Sequence, residues 1–234
     1  MKFVNLLVTS LLVITCFSCD SNKNLDDKTL KTKNTGKVND EVSMLLNVLE
    51  NDSKDGQIKM EAIARLGIIG DKRAVEPLIE LLRKDMKART GLWANAIGAL
   101  GELGDSRATP VLTEALNKRE DDWLGREMAV RALGSIGDAD AVESLLSASY
   151  FVETRDSAIW ALAEIADARA IEILISALDE AENQDTVQAA MEGLIKIGRP
   201  AVSALSKELK NYSNEYPNQY RREKVEQILK VIKE

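Results

Sequence analysis

Not one of the 234 residues is a histidine. That absence removes the Ser-His-Asp triad, Cys-His catalysis and nearly all zinc and di-iron sites, each of which depends on an imidazole. The 2 cysteines, Cys16 and Cys19, both fall near the N-terminus, so the rest of the chain has no disulfide and no reactive thiol. Its core must come from packing alone. Aromatic residues make up 4%, with 4 prolines and 13 glycines, too few for a turn-rich sandwich of strands. No D-x-[DN]-x-[DN]-G calcium loop is present, and no run of lysine and arginine stands out. The formal charge of −7 repels phosphate backbones, so nucleic acid is not expected as a partner. A carboxylate pair such as Glu127 with Asp156 could in principle do acid–base work, but 38 acidic residues generate such pairs by chance. The chain is therefore expected not to be an enzyme, with no catalytic residue, no metal and no cofactor.

What is there favours helices. Apolar residues reach 45% and charged residues 29%, and the common alanine, leucine, isoleucine and glutamate are good helix formers. The N-terminus reads as an address. Lys2 supplies a short positive region, and Leu6 to Thr15 form an apolar run of signal-peptide length, too short to span a bilayer comfortably. A cysteine closing such a run resembles the lipobox of bacterial lipoproteins, in which that cysteine becomes the first mature residue and carries acyl chains. Cys19, preceded by the small Ser18, fits best; Cys16 is the other candidate. Residues 1–18 are then a signal peptide and Cys19 the lipidation site. Residues 19–38 are polar, rich in lysine and asparagine, and form a flexible tether reaching roughly 25 Å. The expected location is a bacterial cell envelope, on its periplasmic or surface side.

From residue 39 onward one phrase recurs: AIARLGIIGD (62–71), AIGALGELGD (96–105), AVRALGSIGD (129–138), AIWALAEIAD (158–167) and AMEGLIKIGR (190–199). A period of this size is the signature of a solenoid. Ile97, Leu100 and Leu103 recur at three-residue steps and give one apolar helical face, with Trp93 one turn ahead of them. The glycine near the end of each phrase stops the helix, and the following aspartate caps the next one. A second phrase follows, RAVEPLIELL (73–82), RATPVLTEAL (107–116), DAVESLLSAS (140–149) and RAIEILISAL (169–178), with Pro77 and Pro110 in first turns, where a missing amide costs little. The unit is a helix–turn–helix. DEVSMLLNVLEND (40–52) is an opening helix, and the charged segment from Arg199 onward closes the array.

These phrases resemble the HEAT family, in its short type first noted in phycobilisome lyases, over about residues 39–234. The resemblance implies an all-α, α-α superhelix of about five to six helical pairs. It also implies an inter-repeat charge ladder, in which an arginine of the second helix pairs with the aspartate after the glycine. The aspartates are Asp71, Asp105, Asp138 and Asp167, with Arg199 at the last position. The matching second-helix residues are Lys59, Trp93, Arg126, Arg155 and Val187, so the ladder is expected around Arg126 and Arg155.

In such arrays the second helices line the concave, partner-binding face. Residues six before each phrase-ending glycine should project toward it: Ala64, Gly98, Arg131, Trp160 and Glu192. With Trp93 and Arg126 they make an anchor set, because Trp and Arg dominate interface hot spots. The blander readings are that Trp93 fills a core gap and Trp123 packs a loop. The expected function is a membrane-anchored envelope lipoprotein that scaffolds a protein partner. The alternative is an accessory or lyase-like HEAT protein that binds a small molecule or assists assembly of an enzyme complex.

Overall fold

The structure is a computed structural model that describes residues 40–51, 55–88, 91–118, 123–179, 183–211 and 218–233. All of them belong to the unit Asn39–Glu234. The lipidation candidates Cys16 and Cys19, the signal peptide and the tether lie outside the described residues, as do residues 119–122 and 212–217.

Twelve helices follow one another among the described residues, and no strand does. Helix α1 covers residues 40–50. It is followed by α2 (Gly56–Ile69), α3 (Val75–Ala88), α4 (Trp93–Leu103), α5 (Thr109–Lys118), α6 (Trp123–Ile136), α7 (Val142–Ala148), α8 (Arg155–Ile165), α9 (Ile171–Ser176), α10 (Gln184–Ile197), α11 (Arg199–Asn211) and α12 (Asn218–Lys233). The recurring phrase forms α2, α4, α6, α8 and α10, and the second phrase forms α3, α5, α7 and α9.

Each phrase ends as its residues dictate. Gly104 takes the left-handed conformation (φ 58°, ψ 38°), and its amide closes the helix on Leu100 and Gly101. Asp105 then accepts the Arg107 amide and opens a short 3-10 turn, Ser106–Ala108, that leads into α5. In the fourth copy Ala166 occupies the glycine position and still adopts φ 55°. A methyl group at that φ crowds the following carbonyl, a cost of about 1–2 kcal/mol that the surrounding packing must offset.

One core runs the length of the stack. Leu66, Leu100, Leu133, Leu162 and Leu194, at the same place in successive phrases, are all 0% exposed. The equivalent leucines of the odd-numbered helices, Leu78, Leu112, Leu145, Leu174 and Leu205, are also sealed from water. Truncating any of them to alanine removes packing worth about 2–5 kcal/mol.

The even-numbered helices from α2 to α10 pack closely on one another, whereas the odd-numbered ones touch their neighbours more sparsely. The cause is a ladder of small residues. Gly67 meets Ala99, Gly101 meets Ala132, Gly134 meets Ala161 and Ala163 meets Gly193. Each junction therefore places one glycine against one alanine, and in the last the two exchange helices. A Cβ added at Gly134 would stand 2.8 Å from that of Ala161, and one at Gly193 would stand 2.7 Å from that of Ala163, closer than carbon atoms can approach. The ladder ends where the stack ends. Arg65 takes the small-residue position in α2 and pairs with Glu41 of α1 at 2.8 Å, and Ile195 takes it in α10.

Candidate functional site

Along the edge formed by the glycine–aspartate turns, the charge ladder differs from the expected one. Asp71, Asp105 and Asp167 each bind the guanidinium two residues later, that of Arg73, Arg107 or Arg169. Side-chain hydrogen bonds from these arginines, aided by backbone amides, hold the carboxyls low, to about 2 for Asp105 and Asp167. The bridge to the preceding repeat comes from the same arginines. Arg107 reaches the Lys72 carbonyl (3.3 Å) and Glu76 (3.4 Å), and Arg169 reaches the Ala139 carbonyl (2.8 Å) and Glu143 (3.3 Å). Lys72 adds a contact to the Leu103 carbonyl at the end of α4, where a cation also complements the helix dipole.

The junction between the second and third repeats lacks this clamp. Asp140 stands where an arginine is needed, and Pro110 stands where its glutamate partner would be. Both halves change together, so no charge is left facing a missing partner. Asp138 instead accepts the Thr109 hydroxyl at 2.7 Å. The second-helix arginines serve elsewhere: Arg155 donates to the Ser149 carbonyl at 3.5 Å, and Arg126 lies over the Phe151 ring. The ladder of aspartates was readable from sequence, but its arginines were misassigned. The D-x-R spacing at 71–73, 105–107 and 167–169 was the available signal.

The five anchor candidates do not share one surface. Arg131, Trp160 and Glu192 occupy equivalent, exposed positions on α6, α8 and α10, and Trp160 keeps 47% of its surface in water. Around it, polar bonds tie neighbouring even-numbered helices: Ser157 to Glu127 (2.5 Å), Asn183 to Asp156 (2.5 Å) and Lys196 to Glu164 (2.9 Å). Gln188 and Glu192 bond within α10 at 2.8 Å. Trp93 is half-buried against the core, and its amide donates to the buried Asp85 carboxylate at 2.8 Å. Trp93 thus fills the core-gap role. Arg126 and Arg131 are five residues apart, which turns them about 140° from each other around the helix. Arg126 accordingly lines a different pocket, between α5 and α7. Trp123 is exposed rather than packed under a loop.

A larger cleft of about 690 Å³ opens between α1, the start of α2 and α3; its floor includes Leu49, Leu81 and Leu92, and its rim mixes Lys59 and Lys84 with Glu80. Nothing in the sequence pointed to it, because the cleft forms where the opening helix meets the first full repeat. Among the described residues, no group of carboxylates is arranged to hold a metal ion, and no helix is long and apolar enough to cross a membrane.

A stack of helical pairs joined by glycine–aspartate turns, with small residues between the even-numbered helices, defines a helical-repeat protein. Residues 88–150 and 144–230 match the HEAT repeat family model, and residues 58–84 match that of the PBS lyase HEAT-like repeat. The chain belongs to the HEAT-repeat family. No curated protein matches it significantly. Human deoxyhypusine hydroxylase is a similar solved structure, with 20% identity and a TM-score of 0.49, over 86% of this chain and 76% of that one. Another is the complex of CpcE and CpcF of phycocyanin lyase from Nostoc sp. PCC7120, with 18% identity and a TM-score of 0.46, over 94% of this chain and 99% of that one. The expectation that the chain is not an enzyme is not kept, since the solved structures similar to it include a hydroxylase and a lyase complex.

Proposed function

We propose that this protein holds a protein partner against the face of its even-numbered helices, at a bacterial envelope membrane to which Cys19 tethers it. The observation that carries this reading is Trp160, a large aromatic residue left 47% exposed at the position where the other repeats carry Ala64, Gly98, Arg131 and Glu192. Exposed tryptophan costs solubility unless it is used, and Trp and Arg are the commonest energetic anchors of interfaces. Arg131 and Glu192, in register on the adjacent helices, supply charge on either side for orientation. The inter-helix polar bonds around Trp160 hold that surface in one shape, which lowers the ordering cost of association. The lipobox resemblance at Cys19 and the polar residues after it support a membrane tether.

The test uses the full chain in its native membrane, with a photo-crosslinking amino acid at position 160 or, as an outward control, at Glu172 on α9. A discrete crosslinked product from position 160 and none from position 172 is expected. Equal labelling from both positions, or none from 160, would sink the face assignment. Mass spectrometry of the mature N-terminus tests the tether separately: an acylated Cys19 is expected, and an intact residue 1 or an unmodified cysteine removes it.

A further inference from the structure

The opposite edge of the stack, where odd-numbered helices lead back to even-numbered ones, carries an arrangement that the face reading does not use. A pocket of about 200 Å³ lies between α5, α6 and α7, lined by Asn117, Arg126, Ser144, Ala148 and Phe151 among others. The Arg126 guanidinium sits 4.9 Å from the centre of the Phe151 ring. Its Nε is buried without a hydrogen-bond partner, and it forms no ion pair with a described carboxylate. In a chain of net charge −7 a half-buried guanidinium without a counter-ion among the described residues is conspicuous, because a buried donor left without an acceptor is costly, more so when charged.

The pocket's other polar groups complete the picture. The Ser147 and Thr154 hydroxyls already donate to the carbonyls of Glu143 and Ala148. The Ser144 hydroxyl and the Asn117 carboxamide remain to donate inward beside Arg126. Around this pocket stands an apolar rim on the same edge. Tyr150 and Val152 flank Phe151 at 79% and 90% exposure, and Trp123, one helical turn before Arg126, is 58% exposed. Consecutive large apolar residues so open to water mark a surface meant to be covered.

The geometry points to a second binding site here, for a carboxylate presented by an apolar peptide segment of a partner protein. The guanidinium takes the carboxylate in its planar fork, Ser144 and Asn117 supply further donors, and the segment's apolar side chains cover Phe151, Tyr150 and Val152. The small volume admits one carboxylate side chain or a chain terminus. A single carboxylate enters an acidic protein readily, whereas an extended anionic bilayer surface would be repelled by its net charge.

The test follows the Arg126 Nε–Hε signal and the Ser144 and Phe151 amides by NMR on the ¹⁵N-labelled chain, with Arg126→Gln giving the assignment. The probes are N-acetyl-Phe-Asp-amide and its neutral counterpart N-acetyl-Phe-Asn-amide. A saturable shift is expected for the acidic peptide, with affinity at least about tenfold above the amide. The shift should vanish in Arg126→Gln and weaken in Arg126→Lys, which keeps the charge but not the fork. Ser144→Ala, a milder change, should weaken it as well. Equal shifts from both peptides, or binding that survives Arg126→Gln, would overturn the site. Saturation by inorganic phosphate or phosphatidylglycerol vesicles, with no response to the acidic peptide, would overturn its assignment to carboxylate. Trp160→Ala should leave the titration unchanged, so the two surfaces stand or fall separately.

Discussion

At the glycine–aspartate edge, Asp71, Asp105, Asp138 and Asp167 each cap a turn, and Arg73, Arg107 and Arg169 each pair with the aspartate two residues earlier. At the opposite edge, Arg126 has no counter-ion among the described residues, and Tyr150, Phe151 and Val152 stand in water. The first edge repeats because every repeat needs the same turn. The second is under no such constraint, since any connection that returns the chain to the stack will do. Regularity therefore marks what holds the fold together, and departure from it marks residues retained for something else.

The comparison breaks first if the stack itself does not depend on its small residues. Gly193→Val should cost about 3 kcal/mol in denaturant unfolding, by forcing α8 and α10 apart. Exchanging the pair Gly134 and Ala161, which keeps one methyl at that junction, should recover most of what Gly134→Ala loses. Absence of that recovery would show that the contact is not what sets the spacing. At the regular edge, Asp105→Ala should cost about 1 kcal/mol by removing a cap and a bridge. The same carboxylates make a pH prediction. Asp105 and Asp167 are held at about 2 in the fold, against roughly 3.9 when unfolded. The native state then binds fewer protons between those values, so their contribution is complete above about pH 4 and is lost as pH falls through about 2. The acid limb of the stability profile should flatten when both are replaced by asparagine. Ala166→Gly relieves the left-handed alanine and should stabilise by about 1 kcal/mol, read as a raised denaturation midpoint. At the irregular edge, Tyr150→Ser and Val152→Ser should change stability by less than about 0.5 kcal/mol. A larger loss at either position would make that edge structural too and erase the contrast.

Much of this was legible before any coordinates. The opening helix, the helix-stopping glycines, the capping aspartates and the all-helical repeat follow from local chemistry, and the described residues bear them out. The exposure of Trp160 beside Arg131 and Glu192 also follows from register, because an equivalent position in a repeat faces an equivalent direction. The arginine partners were not found, since an aspartate can reach forward two residues or across to another helix and spacing alone does not choose. Trp93 and Arg126 were grouped with Arg131 although the helix turns them away from it. The cleft beside α1 and the pocket beside Arg126 left no trace in the pattern, because each is walled by segments distant in the chain.

By itself, the sequence determined the helices, their ends, the repeat and the burial of the leucines, all of which depend on neighbours within a few residues and on a period copied along the chain. Only the tertiary structure decided how closely the helices approach through Gly–Ala pairs, which arginines clamp which repeat, and that Arg126 has no counter-ion among the described residues. Those outcomes depend on distances across repeats, set when all the helices settle against one another at once.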